Sequence, residues 1–270
     1  DVKSVLYELQ DVDIVIFAGG ISPEFEGEEM PVQVPGFSGG DRTSIELPGV
    51  QRDLIEALHN DGKKVVLVNF SGSAVGLVPE SENCDAILQA WYPGQMGGTA
   101  IADVLFGKAN PSGKLPFTFP LKLEDSPAYA LGNFGQNESE DLFTLMYRLD
   151  ATGYTREQIQ EYIANLPDPE SVYTEGIFVG YRWFETKEVP VMYSFGHGLS
   201  YVDFEYGPLT CKQKKDKFYV TFDVKNLGDM EADEVTQLYV KRIGSAVERP
   251  LKELEAFDRI TLKAGETKKV

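Results

Sequence analysis

The stretch DIVIFAGG, Asp13 to Gly20, sets five apolar residues, Ile14-Val15-Ile16-Phe17-Ala18, between an Asp and a pair of glycines. A short apolar run bounded by turn residues, rich in β-branched and aromatic side chains, predicts a buried strand. After more than twenty residues without periodicity, Leu47-Pro48-Gly49 leads into a helix pattern. There Val50, Leu54 and Leu58 recur every four residues, Pro48 stands near the first turn and Gly62 is the stop. Two more apolar runs follow, Lys64 to Phe70 and Ala86 to Trp91. A second helix then opens at Gly97-Gly98-Thr99-Ala100, with Ile101, Val104, Leu105 and Phe106 as its apolar stripe and Gly107 and Pro111 beyond its end. Strands alternating with helices predict an α/β unit, a three-layer sandwich around a mainly parallel sheet.

The 270 residues suffice for one large or two modest domains. Hydrophobic residues make up 42 % and charged ones 25 %, which is globular, and no apolar run approaches the roughly 20 residues needed to span a bilayer. A net charge of -18 excludes nucleic acid and anionic membranes as partners, since both demand clustered cations. Cys84 and Cys211 are too distant and too few for a disulfide framework or a thiolate metal site. The chain opens on Asp1-Val2-Lys3 with neither an initiator Met nor a signal-peptide pattern, and both ends read as cut.

Residues from about 121 to 170 break the rhythm and read as an insertion, polar and Gly-rich at first, then a short helix with a Thr155/Gln158 capping box. Beyond Leu209 the period becomes two. Phe218, Val220, Phe222 and Val224 fall on one face, Val235, Leu238 and Val240 belong to the next strand, and Asn226-Leu227-Gly228-Asp229 turns between them. Short strands and turns without helix signals predict a β-sandwich. The division is therefore 1–205 for the α/β unit and 206–270 for an incomplete β-sandwich.

Five motifs stand in order: Gly40-Asp41-Arg42-Thr43-Ser44-Ile45-Glu46-Leu47-Pro48, Tyr92-Pro93-Gly94-Gln95-Met96-Gly97-Gly98-Thr99-Ala100, Asn110-Pro111-Ser112-Gly113-Lys114-Leu115-Pro116, Glu175-Gly176-Ile177-Phe178-Val179-Gly180-Tyr181-Arg182 and Phe195-Gly196-His197-Gly198-Leu199-Ser200-Tyr201. This series resembles the C-terminal half of glycoside hydrolase family 3, over nearly the whole chain apart from the insertion. The tail, Val224 to Asp229 and Arg249-Pro250-Leu251-Lys252-Glu253-Leu254 through Phe257, is similar to that family's fibronectin type III-like module. The resemblance implies a retaining exo-β-glycosidase acting on β-linked oligosaccharides, β-xylosidase-like more than β-glucosidase-like, without a cofactor. It also implies an N-terminal (β/α)8 barrel that bears an Asp nucleophile and lies outside this chain, which would be inactive without it. A non-catalytic module that contacts carbohydrate and keeps the fold is the alternative.

The loop from Gly19 to Gly40 leaves the carboxyl end of the first predicted strand, where open α/β sheets bind ligands. It crowds Glu24, Glu26, Glu28 and Glu29 into GGISPEFEGEEM, Gly19 to Met30. A retaining glycosidase needs two carboxyl groups about 5–5.5 Å apart, one of them protonated near neutral pH. Neighbouring carboxylates and burial both raise such a pKa. Family members carry an acidic residue six positions after a strand-end glycine, which lands on Glu26 as the acid/base, with Glu24 and Glu28 as alternatives. A plain solvated acidic loop and a calcium site are the competing readings, and the run lacks the Asp/Asn/Gly rhythm of a calcium loop.

Asp41 and Arg42 suit an ion pair that fixes the loop's return. The Gly94-to-Gly98 turn reads as close strand-to-helix packing, lacking the spacing of a phosphate loop. His59 and His197 read as structural, and Ser71-Gly72-Ser73 is not a nucleophile elbow. Trp91 and Tyr92 suit either sugar stacking or core packing.

Overall fold

The structure, a computed structural model, describes residues 1–26, 32, 34–38, 41–131, 142–165 and 173–270. The first unit runs α1 (Val2–Glu8), β1 (Ile14–Gly20), α2 (Pro23–Glu26), β2 (Phe37–Ser38), β3 (Asp41–Arg42), α3 (Gly49–Asn60), β4 (Lys64–Phe70), α4 (Val78–Asn83), β5 (Ala86–Gln89) and α5 (Gly97–Leu105). β1, β4 and β5 form a parallel sheet in that order, Val15 standing opposite Val65 and Val66 opposite Ala86.

Alternation decides what the sheet buries. Val65 and Leu67 of β4 face the same way as Val15 and Phe17 of β1, and together they meet Ile55 and Leu58 of α3, with Ile21, Val75, Leu77 and Phe119 completing the cluster. The expectation of a fully buried first strand is corrected: Ile14 and Ile16, on the opposite face of β1, are exposed. The helix stripe is also corrected. Val50 is 77 % exposed, whereas Leu54, Ile55 and Leu58 turn inward, and Gln51 heads that inward row at the spacing i, i+3, i+4, i+7. Phe106 lies just past α5 and is exposed, so it is no part of the packed stripe.

β6 (Phe119–Pro120), a 3-10 turn (Leu123–Asp125) and α6 (Pro127–Ala130) lead to α7 (Leu142–Ala151) and α8 (Arg156–Ala164). These two helices share a small core of Leu145, Leu149 and Ile159, and α8 has the expected capping box, with Gln158 N donating to Thr155 Oγ1 and Thr155 N donating to the Gln158 side chain. α9 (Tyr181–Thr186) and β7 (Val191–Tyr193), which pairs with β6, close the unit.

From Phe204 on, the described residues form antiparallel pairs: β8 (Phe204–Tyr206), β9 (Thr210–Lys214), β10 (Lys217–Thr221), β11 (Asp223–Asn226), β12 (Ala232–Val240), β13 (Glu253–Leu262) and β14 (Thr267–Lys269). The expected single face through Phe218 and Val224 is broken at Phe222, because the chain changes partners there: β10 pairs with β9, whereas β11 pairs with β8 and β14. Phe218 is accordingly 67 % exposed while Val224 is buried. β12 forms where the next strand was expected and contains Val235, Leu238 and Val240. It buries Ala232, Glu234 and Thr236, and Val235 faces the other way from Leu238 and Val240. The turn after β11 does form: Asn226 Oδ1 accepts from Gly228 N at 2.8 Å, and Asn226 Nδ2 donates to the Met230 carbonyl.

Candidate active site

The acidic loop leaves the carboxyl end of β1, as its sequence position requires, and its two ends are tied down separately. At the outgoing end, Gly20 N donates to Gln51 Oε1 and Gln51 Nε2 donates to the Gly20 carbonyl, both at 2.8 Å, while Ile21 N donates to Phe70 O at 2.7 Å. At the returning end, Arg42 donates from Nε to Ser44 O at 3.2 Å and from Nη1 to Ser73 Oγ at 3.0 Å and Ala74 O at 3.2 Å. Arg42 thus fastens the loop to the segment that follows β4. The Asp41 side chain, its expected ionic partner, lies outside the described residues.

Beneath these ties runs a buried polar row. Asn69 of β4 donates to Gln89 Oε1 of β5 at 2.6 Å, Gln89 Nε2 donates to Ser71 Oγ at 3.0 Å, and Ser71 Oγ donates to Ser73 O at 2.9 Å. Ser71 is fully buried, so its hydroxyl serves this network and not as a nucleophile. Bonded polar groups in a dry interior fix one geometry, which suits the floor of a site.

Of the candidate acids, Glu24 sits in α2, exposed, where a hydrogen bond with Ser22 and one with its own backbone N–H lower its carboxyl pKa below the ordinary 4.5. That is the reverse of what a proton donor near neutral pH requires. Glu26 ends the same short helix, and its side chain, like Glu28 and Glu29 entirely, lies outside the described residues. Trp91 packs edge-on against Phe117 and Phe119, with ring centroids 5.2 and 6.2 Å away, so it belongs to the core. Tyr92 is exposed at the ring and donates its hydroxyl to Ile21 O at 3.0 Å. A side chain on Gly97 would collide with the Pro93 ring, which supports close packing at that turn. His59 is exposed on α3. His197 stacks on Tyr193 at 5.0 Å, and burial with the nearby Lys114 charge pushes its pKa down.

The model of the glycosyl hydrolase family 3 C-terminal domain matches residues 2–181, two thirds of the chain. The chain belongs to glycosyl hydrolase family 3. A fibronectin type III-like domain matches residues 234–270. Among its relatives, a xylan 1,4-β-xylosidase of Xylanibacter ruminicola is 42 % identical over 99 % of this chain and 26 % of its own length. A β-glucosidase of Bacteroides ovatus is 38 % identical over 96 % of this chain and 30 % of its own length. The crystal structure of a β-glucosidase from Bifidobacterium adolescentis superposes on all of this chain, covering 34 % of that protein, with a TM-score of 0.77 and 32 % identity. The chain therefore spans under a third of the family 3 relatives that its sequence matches, and it corresponds to their C-terminal portion.

The family's ordered motifs acquire a physical meaning here. Asn110-Pro111-Ser112-Gly113-Lys114-Leu115 and Phe195-Gly196-His197-Gly198-Leu199-Ser200-Tyr201 interlock: Leu115 N donates to His197 O and Gly196 N donates to Leu115 O, each at 2.8 Å, while Tyr201 N donates to Asn110 Oδ1 at 2.7 Å. Tyr181 stacks on Phe195 at 4.9 Å and donates no proton there; its hydroxyl instead accepts from Leu254 N at 2.8 Å. Gln51 was not singled out as a candidate residue by the sequence reading, although a polar side chain heading an otherwise apolar helix face was its signal.

Proposed function

We propose that this chain is the acid/base-bearing C-terminal portion of a retaining exo-β-glycosidase, and that it works with an Asp nucleophile on a (β/α)8 barrel N-terminal to it. The observation that carries this reading is an acidic loop that leaves the carboxyl end of a parallel-sheet strand and is held at both ends, in a chain of family 3. Glu26 is the assigned general acid/base. Glu24 is a weaker alternative because its surroundings favour its charged form, and Glu28 is the other. In the first step the protonated Glu would donate to the leaving glycosidic oxygen while the nucleophile attacks the anomeric carbon; the same carboxylate would then take a proton from water.

The substrate class is β-linked oligosaccharides cleaved from the non-reducing end. The identity to a xylan 1,4-β-xylosidase supports xylosides ahead of glucosides. We place the boundary between the α/β unit and the β-sandwich near residue 205, supported by the last helix ending at Thr186 and by the run of antiparallel strands from Phe204 on. The test is Glu26→Gln in the full-length protein, assayed on aryl xylosides and glucosides with good and poor leaving groups. An acid role predicts a far larger loss on the poor leaving group. Uniform losses there, with a selective loss in Glu24→Gln or Glu28→Gln, reassign the residue. A full-length protein that binds but does not cleave glycosides leaves only a carbohydrate-contacting module.

A further inference from the structure

The outgoing end of the acidic loop is held in an unusual way. Among the described residues β1 is an edge strand, with β4 on one side and no strand on the other. In a parallel sheet, successive residues direct their amide groups to alternate sides. Ile21 N–H turns to Phe70 O of β4, whereas both backbone groups of Gly20 turn to the open side and meet the Gln51 amide. That amide carries one acceptor and one donor at backbone spacing, so it pairs with Gly20 as a neighbouring strand would. The fit demands glycine. A side chain on Gly19 would run into Gln51 Oε1 and the Phe17 ring, and one on Gly20 into the backbone of Phe70, with φ at +134°. The next residue, Ile21, is 1 % exposed and offers its carbonyl to Tyr92.

Three elements thus converge on two consecutive residues: α3 through Gln51, β4 through Phe70 and the segment after β5 through Tyr92. The carboxylates begin three residues beyond Ile21, at Glu24. We infer that Gln51 and Tyr92 are positioning residues for the acid/base, setting where and at what angle the loop departs from the sheet. Neither acts on the substrate itself. A displacement of about 1 Å in a reacting group costs on the order of 10²-fold in rate, and a root held on three sides limits such displacement. This deepens the glycosidase reading and rests on an acid acting from this loop.

The test uses the full-length protein with Gln51→Met, Gln51→Glu and Tyr92→Phe. The readout is kcat/KM on a 2,4-dinitrophenyl glycoside, which departs without protonation, and on a phenyl glycoside, which needs the acid. Gln51→Met is expected to lose roughly 10- to 100-fold more on the phenyl than on the dinitrophenyl substrate. Gln51→Glu keeps an acceptor for Gly20 N–H and should fall between Met and wild type. Equal losses on both substrates, or none, would overturn the inference, since a merely structural role lowers both alike. If Gln51→Met does not fold, Tyr92→Phe, which lacks only a hydroxyl, decides by the same ratio. Parallel Gln variants of Glu24, Glu26 and Glu28 separate the two ideas. If none of them shows a leaving-group-dependent loss, the assignment of the acid/base to this loop fails; if one does while Gln51→Met and Tyr92→Phe do not, only the positioning role fails.

Discussion

Lys114 Nζ lies 3.3 Å from Glu234 Oε2 and donates to Gly198 O at 2.8 Å, joining the α/β unit to the buried face of β12. Tyr206 donates its hydroxyl to the other Glu234 oxygen at 2.8 Å, and burial together with that carboxylate pushes the phenol's pKa up. The two charged side chains are 16 % and 11 % exposed, so each depends on the other for its solvation. Lys114→Met should therefore cost roughly 3 kcal/mol, the lower end for breaking a buried pair, while Lys114→Met with Glu234→Gln should recover much of it. Urea unfolding of the two single variants and the double variant measures the coupling. A coupling below about 0.5 kcal/mol would mean that the pair does not join the units energetically.

Gly20→Ala should destabilise the protein more than a surface substitution does. The backbone at φ +134° suits only glycine, and an added Cβ would strike Phe70. Strain of this kind costs about 1–3 kcal/mol before any clash. Thermal unfolding of Gly20→Ala beside Gly94→Ala, whose Cβ would meet nothing within 4 Å, isolates the effect; equal melting temperatures would refute it.

Glu80 gives a pH signature. Its side chain is 1 % exposed, with Oε1 3.2 Å from Arg52 Nε and Oε2 buried without a hydrogen-bond partner. Burial raises its pKa above the ordinary 4.5, Glu46 adds repulsion, and Arg52 only partly offsets both. The folded chain therefore keeps this proton where the unfolded chain has lost it. The resulting stability is present below the ordinary value and lost as pH rises through the folded one. Stability of Glu80→Gln relative to wild type should rise between about pH 4 and 7. A flat or falling difference across that window would contradict this assignment.

The two thiols should behave oppositely. Cys211 on β9 is exposed, whereas Cys84 is partly buried, and burial with the Glu80 and Asp85 charges pushes its pKa up to about 12. Thiolate is the reactive form. Iodoacetamide on the native protein, followed by peptide mass spectrometry, should modify Cys211 and spare Cys84, and denaturant should expose both. Early labelling of Cys84 would show that its segment opens.

The strands β1, β4 and β5 were legible because apolar runs and their glycine punctuation are local signals. The family was legible because its motifs are contiguous. What those motifs do was not legible. The pairing of Leu115 with Gly196 and His197 joins residues some eighty positions apart, which no local period encodes. Val50 misled because four-residue spacing alone does not tell which of two adjacent stripes faces the sheet; packing against Val65 and Leu67 selected Leu54, Ile55 and Leu58. On β12 the charged residue Glu234 is drawn inside by Lys114 and Tyr206. Polar burial of that kind depends on partners that are distant in sequence.

Gly20 is fastened by the side chain of Gln51, and Arg42 fastens itself to Ser73 and Ala74, so both ends of the acidic span are held by groups that lie outside it. Doubling the length of a flexible loop costs only about 0.6 kcal/mol. A change of length or charge between those two moorings can thus alter what the loop reaches while both moorings stay in place.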